Sequence, residues 1–356
     1  MTFGFDGDAL NGEARDADAT RSPLEDDPGG WRRLEVWEVA GLEHEPVLRA
    51  DVVRYLLPKP RPGLRLIDCT VGLGGHSEAL LEAAPPDAEL LVVDRDPAAL
   101  AKSRARLAPF GERVRYAQAP FSTLGAVLAG IGWDRVDGLL ADLGVSSMQL
   151  DDAARGFSFR SDAPLDMRMD PTRGESAAEL VERLGEEDLA DLIYDLGEEH
   201  RSRRIARAIK RAGRPPTTTG ELRAAVHRAV GPQRGRRHDP ATLTFQALRI
   251  AVNRELDELD ALIDLLPERL APGARAVFLS YHSLEDRRVK RRFARWRRSC
   301  VCPPELPVCR CGGRARAGAV TRRVVTPSED EIRENPRARS ARLRAIEWLG
   351  DDGPDR

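Results

Sequence analysis

The sequence predicts an α/β fold in which an open, largely parallel sheet is interrupted after its fourth strand by an all-helical segment. Three observations predict it. Strand-like and helix-like patterns alternate from residue 64 to residue 142. No clear strand pattern occurs from about 150 to 250. Strand-like runs then return near residues 276 and 342. Strands separated by helices of this length imply βαβ units and a parallel sheet.

The elements follow in order. Residues 1–40 are rich in Asp, Gly and Ala, lack periodicity, and read as a disordered acidic tail. Order is expected to begin near "HEPVLRADVVRYL", His44 to Leu56. Leu64–Cys69 is a short apolar run and reads as the first strand; Ser77–Ala84 is helical. Glu89–Asp94 is the second strand. The helix Pro97–Leu107 follows, with proline in its first turn where a missing N–H costs nothing. Val114–Ala117 is a strand, Ser122–Ala129 a helix, and Val136–Asp142 ("VDGLLAD") the fourth strand. In the helical stretch, Phe245, Leu248, Val252, Leu256, Leu259, Ile263 and Leu266 recur in steps of three and four, which reads as one face of one long helix ended by Pro272-Gly273. Ala276–Tyr281 is the returning strand, a basic helix follows to about Arg298, and Arg342–Leu349 is a final strand. The expected organisation is a tail over 1–40, a sheet domain in two parts over 41–150 and 251–349, a helical domain inserted over 151–250, and a tail over 350–356.

With 356 residues, 41% of them hydrophobic, the chain can bury a sizeable core. Its formal net charge of −2 hides a strong asymmetry. Residues 1–30 hold eight acids and two arginines; residues 201–240 hold twelve Lys/Arg and two acids; residues 281–300 hold eight Lys/Arg and two acids. The basic segments suit a polyanion, since each phosphate neutralised releases condensed counterions; a solvated arginine-rich helix face is the other reading. No run approaches the roughly 18 apolar residues of a membrane span. The acidic N-terminus lacks the order of a signal peptide, and five cysteines in so long a chain do not form a disulfide framework. A cytoplasmic location is expected.

"LRLIDCTVGLGGHSEALL", Leu64 to Leu81, carries the first chemistry. Gly72, Gly74 and Gly75 leave backbone bare at the edge of the sheet where ligands bind. Asp94 ends the second strand about twenty residues on, where an acid accepts hydrogen bonds from ribose hydroxyls. An adenosine-containing cofactor is indicated. The dinucleotide fingerprint needs Gly or Ala at position 77, where this chain has Ser77. S-adenosylmethionine enzymes use such a turn more loosely. Asp142, in "LLADLGVSS", ends the fourth strand beside the same edge. A carboxylate there can accept N–H bonds from an exocyclic amine and raise its electron density during methyl transfer; contact with the cofactor, or capping of the turn, is the alternative.

The chain resembles the ribosomal small-subunit RNA methyltransferase H family. The resemblance runs from about His44 to Leu349 and rests on "GLGGHSEALL", "VVDRDPAAL", "LLADLGVSSMQLDDAARGFSFR", "PLDMRMDPTRGESAAELV", "FQALRIAVNREL", "SYHSLEDRRVK" and "ENPRARSARLR". It implies a Rossmann-like class I S-adenosylmethionine-dependent methyltransferase domain with a helical insertion. The implied activity is methylation of the N4 amine of a cytidine in the decoding centre of 16S rRNA, on the small ribosomal subunit. It implies that Gly74, Gly75 and His76 contact the methionine part of the cofactor, that Asp94 holds the ribose, that Phe121 lies by the adenine, and that Asp142 and Gln149 complete the pocket. A non-catalytic ribosome-assembly factor and a nicotinamide oxidoreductase are the competing functions; the intact glycine turn with Asp94 and Asp142 opposes the first, and Ser77 with the basic segments opposes the second.

A base in folded RNA must be turned out of its stack to reach such a site, at a cost of a few kcal/mol. Phe157 and Phe159 are candidates to stack on it, or else to pack the helical domain. Arg160, Arg168, the arginines of 201–214 and the helix Asp286–Arg298 are candidates for phosphate contact. His282 and Ser283 are expected to face the site, with His282 orienting the base, accepting a proton, or bonding a neighbouring backbone group. Cys300, Cys302, Cys309 and Cys311, two C-x-C pairs, can form one tetrahedral zinc site or remain free thiols. Cys69 reads as a small buried side chain rather than a nucleophile.

Overall fold

Strands buried on both faces build the sheet. The computed structural model of the chain describes residues 45–57, 61–211, 213–231, 239–300, 302–303, 305–308, 310 and 313–350. The tail expected at 1–40 lies outside them. Helix α1 (Arg49–Leu56) precedes β1 (Arg65–Asp68). Then α2 (Gly75–Ala83), β2 (Glu89–Asp94), α3 (Pro97–Leu107), β3 (Val114–Gln118), α4 (Leu124–Gly130) and β4 (Val136–Asp142) follow in the expected alternation. In β2 and β4 the interior positions are buried one after another rather than alternately, as parallel strands covered on both sides require.

The segment between β4 and the next strand is helical. It contains α5 (Ser147–Asp151), α6 (Ala177–Arg183), α7 (Glu186–Gly197), α8 (Ser202–Lys210), α9 (Thr219–Val230) and α10 (Thr242–Asn253). Most of these share a core of their own, in which Leu180, Ile193, Ile205, Leu222, Val226 and Leu248 are buried together. Helix α6 starts at a reciprocal cap, Ser176 with Glu179.

The long helix expected through residues 245–266 is two helices. Helix α10 ends at Asn253, Arg254 turns to φ 50°, and α11 (Glu255–Arg269) begins at once. The apolar spacing runs through the break without a change of step. The acidic opening Glu255, Asp257, Glu258 is the start signal that marks it. Pro272 and Gly273 do not end this helix; they sit in a register shift inside β5 (Leu270–Ser280).

After β5 come α12 (Ser283–Trp296), β6 (Ala317–Ala319), α13 (Glu329–Glu334) and β7 (Arg342–Trp348). Among the described residues the strands form one seven-stranded sheet in the order β3-β2-β1-β4-β5-β7-β6. The first five run parallel, and β7 pairs antiparallel with β5 and β6. The order reverses between β1 and β4, so the chain crosses from one face of the sheet to the other at that point. Leucines of α4 and α11 and the aromatic residues Phe293 and Trp296 of α12 pack with Ile67, Leu91, Leu139 and Phe278 in one core. The fold is the Rossmann-like sheet with a helical insertion that the sequence predicts.

Candidate active site

A cleft of about 300 Å³ opens at the C-terminal edge of the sheet, where the strand order reverses. Gly72, Gly75, His76, Asp94, Phe121, Asp142, Gln149 and Tyr281 are among its lining residues. Six of the seven residues marked for the cofactor thus share one wall system. Gly74 is the exception. It does not line the cleft but caps α2 at φ 82°, a conformation that costs little only for glycine. Next to it, a side chain on Gly75 would put its Cβ 2.4 Å from Pro46 Cγ, so the segment before α1 can lie directly on the turn.

Asp94 is fixed from behind. Its Oδ2 accepts the Gly72 N–H at 3.0 Å and its Oδ1 the Asp96 N–H at 2.9 Å. Burial pushes its pKa up to about 6, against the pull of those two bonds and with help from the Asp96 and Asp68 charges. Ser77, where the dinucleotide fingerprint would have glycine or alanine, donates to Asp68 Oδ2 at 2.7 Å. That side chain satisfies a buried carboxyl whose pKa burial raises. The departure from the fingerprint therefore has a structural job. Cys69 is buried, and burial drives its thiol well above the ordinary range, which fits a packing role.

Asp142 ends β4 inside the cleft. Its Oδ1 accepts the Tyr281 hydroxyl at 2.8 Å, and its Oδ2 lies 3.5 Å from His76 Nε2. Both ring nitrogens of His76 are buried and make no hydrogen bond among the described residues. A buried imidazole that makes no hydrogen bond beyond this long contact with Asp142, at the rim of an open cleft, is a seat for a ligand's polar group.

Asp96, 0% exposed, is a hub that the sequence reading passed over. Its Oδ1 caps α3 through Ala98 N at 2.9 Å, and its Oδ2 accepts Gln149 Nε2 at 2.9 Å and meets Arg155 Nη1 at 2.9 Å. Arg155 also donates to the Arg168 and Met169 carbonyls. One buried carboxylate therefore ties the end of β2 to the start of the helical segment. Its signal was present: Asp before Pro97 is a helix cap.

On the opposite wall, α10, α11 and α12 meet. Arg249 clamps Glu255 with two bonds, Nε to Oε1 at 2.7 Å and Nη2 to Oε2 at 2.8 Å. Glu285 accepts the Tyr281 N–H at 2.9 Å and lies 3.1 Å from His282 Nε2. Burial works against its charge, but His282, Arg249 and that N–H outweigh it and hold the Glu285 carboxyl below its ordinary value. Glu255, His282 and Glu285 offer ligand atoms within 4.8 Å of one another. Both Glu255 oxygens accept from Arg249, so a guanidinium cation compensates its charge. His282, expected to face the site, does not line the cleft; its neighbours Tyr281 and Glu285 do. Ser283 bonds Glu198 at the end of α7.

The RNA-contact candidates divide. Phe157 is buried in the helical core and cannot serve as a stacking platform, while half-buried Phe159 packs against Phe245 with ring centroids 4.8 Å apart. Arg168 is held by Asp166 through two bonds, at 2.9 and 2.7 Å. In 201–214, Arg203 pairs with Asp191, Arg207 with Glu186 and Arg214 with Glu221, while Lys210 donates to the Val181 and Glu182 carbonyls. On α12, Arg287, Arg288 and Arg292 pair with Glu198, Asp260 and Asp264. Arg160 and, toward the far end of α12, Lys290, Arg291 and Arg295, with Arg297 and Arg298 just past it, are exposed. Of the cysteine cluster, Cys300 and Cys302 are described, with Cys302 Sγ accepting the Arg310 N–H at 3.3 Å; Cys309 and Cys311 lie outside the described residues. No described helix is long and apolar enough to cross a membrane.

The sequence matches the model of the MraW methylase family over residues 41–349. Among curated proteins it is similar to Ribosomal RNA small subunit methyltransferase H of Anaeromyxobacter sp. (strain K), with 50% identity over 314 residues that cover 87% of this chain and 99% of that protein. The protein of the same name from Thermomicrobium roseum is 48% identical over 323 residues, covering 90% of this chain and 98% of its own length. That from Sorangium cellulosum is 51% identical over 312 residues, covering 87% and 92%.

Proposed function

From the premise that the chain belongs to the MraW methylase family, we propose that it transfers a methyl group from S-adenosylmethionine to the N4 amine of a cytidine in the decoding centre of 16S rRNA, on the small ribosomal subunit. The observation that carries this is the cleft itself. The glycine turn after β1 lies between Asp94 at the end of β2 and Asp142 at the end of β4 along one edge of the sheet, and all three line the cleft. The residues fit the donor. Asp94 faces the cleft with its backbone bonds already made, Phe121 follows β3 where an adenine would lie, and the buried ring of His76, which makes no hydrogen bond among the described residues, is placed for the methionine part.

Bound there, S-adenosylmethionine supplies an electrophilic methyl group. The protein's part is positioning and charge. Asp94 accepts the ribose hydroxyl bonds. Asp142, with Oδ1 committed to Tyr281, keeps Oδ2 for one N4–H of the target base. That bond localises electron density on the amine, and the same carboxylate stabilises the positive charge that develops as the new N–C bond forms. The second N4 proton then leaves readily to solvent, so no strong base is required. His282 takes no part in this scheme, and nor does any sulfur of the cysteine stretch.

The substrate backbone is assigned to α12. Its first turn brings Glu285 to the cleft wall, and its 14 residues span about 21 Å to an exposed basic end.

The test is to incubate the protein with labelled S-adenosylmethionine and small subunits lacking the modification, then digest the rRNA to nucleosides. N4-methylcytidine is expected. Label in another nucleoside, or binding without transfer, overturns the assignment.

A further inference from the structure

Two of the sequence words, "FQALRIAVNREL" and "SYHSLEDRRVK", meet in the cleft wall, and the scheme above leaves the charged groups they bring there unused. Four arginines line the cleft: Arg95, Arg106, Arg249 and Arg337. Arg106 is bound to Glu78 beside the glycine turn, Arg95 donates to the Asn253 carbonyl, and Arg337 pairs with Asp151. Arg249 stands on the side of the amine acceptor. Its Coulombic partner Glu285 accepts the Tyr281 N–H, and the Tyr281 hydroxyl ends on Asp142. Glu255 closes only the Nε–Nη2 edge of the guanidinium, and no hydrogen bond to Nη1 forms among the described residues. Desolvating a guanidinium between two carboxylates is costly, and side chains of similar volume without charge would fill the wall as well. What the pair provides that they would not is a hydrogen-bond donor held at a fixed angle.

A cytosine that places its amine at Asp142 brings two acceptors with it, ring N3 and O2. Buried acceptors without donors are costly, and a uracil would present an N3–H instead, which a guanidinium cannot accept. We infer that Arg249 reads the target base, its Nη1 end donating to the N3/O2 edge beside the amine, with Glu255 holding the guanidinium in place. The inference rests on the cytosine reading above.

The test is a cycle of protein and base changes. Small subunits are reconstituted with 16S rRNA, spliced by ligation, that carries cytidine or 3-deazacytidine at the target. The parent protein and Arg249→Gln are compared on both, under single-turnover conditions. Replacing N3 by C–H also changes the amine's own reactivity, but both proteins feel that equally and the cycle removes it. The parent is expected to lose roughly 10- to 100-fold on the deaza base, the worth of a charged hydrogen bond, and Arg249→Gln less than about threefold. An equal loss in both, or none in the parent, overturns the inference while the cytosine reading stands. No turnover of cytidine by the parent overturns the cytosine reading instead. Calorimetric titration with S-adenosylmethionine checks that the variant is folded. If Arg249→Gln does not fold, Arg249→Lys takes its place in the cycle, since it keeps the charge and loses the fork.

Discussion

Tyr281 donates its hydroxyl to Asp142 across 2.8 Å and so joins the ends of β5 and β4 at the floor of the cleft. Burial, with the Asp142 charge behind it, drives the phenol well above its ordinary range, so Tyr281 is a donor at every working pH.

Tyr281→Phe is expected to lower the single-turnover rate roughly fivefold, about 1 kcal/mol, and to leave the affinity for S-adenosylmethionine within twofold. The carboxylate keeps its place in the strand but loses the bond that orients it. Rapid-quench kinetics beside calorimetry separates the two quantities; a loss confined to cofactor affinity would mean that Asp142 serves the donor rather than the amine.

Cofactor binding should depend on pH through Asp94. Its pKa in the free protein is about 6, and ribose hydroxyls bind the ionised form. Affinity is therefore full well above pH 6, halved near pH 6, and falls by roughly tenfold per unit once well below it. Calorimetric titrations from pH 5 to pH 8 should show this fall, and a flat profile would remove Asp94 from the ribose.

Breaking the buried pair between Arg155 and Asp96 should be costly. Arg155→Met leaves a carboxylate in a dry site and is expected to destabilise the protein by about 3 kcal/mol. Adding Asp96→Asn, which keeps an oxygen for the α3 cap, should recover at least half of that loss. Thermal melts of the parent, both single variants and the double variant measure the coupling.

The exposed basic end of α12 should dominate RNA binding. Replacing Arg291, Arg295 and Arg298 together by Gln is expected to lower the slope of log affinity against log salt by about 2. Replacing Arg203 and Arg207, which already face acids, should leave that slope nearly unchanged. Filter binding of small subunits over a salt series checks both, and equal effects of the two sets would move the RNA surface elsewhere.

Metal analysis addresses the cysteine stretch. Four thiolates sharing an ion would give one zinc per chain in protein purified without added metal, and Cys300→Ser would release it. Less than a trace ends the zinc reading.

Most of the sheet was legible because its signals are local. β2 and β4 are apolar runs ending in Asp94 and Asp142, and the cofactor wall lies at those very ends. Less was legible where contacts cross from one element to another. The Arg249–Glu255 clamp joins residues six apart, a spacing that never meets on a continuous helix; only the turn at Arg254 brings them together. His282 is the cap of α12, past the end of β5, and its ring turns back onto Glu285 of the first helical turn, while Tyr281 before it lines the cleft; that bend between strand and helix has no local signal. The pairing of the 201–214 arginines was hidden for a third reason. Their acids sit on α7 and α9, and only the folding of helix on helix sets them opposite.

The insertion between β4 and β5 also has a price in time. The backbone N–H and C=O groups along the β5-facing edge of β4 have no strand partner until about 130 further residues of chain have been made. During synthesis, nascent chains that have completed β4 but not β5 expose this edge as a template for pairing with one another. Stalled or truncated products ending in the helical segment should accordingly be the species that clump, and the ones that depend on chaperones.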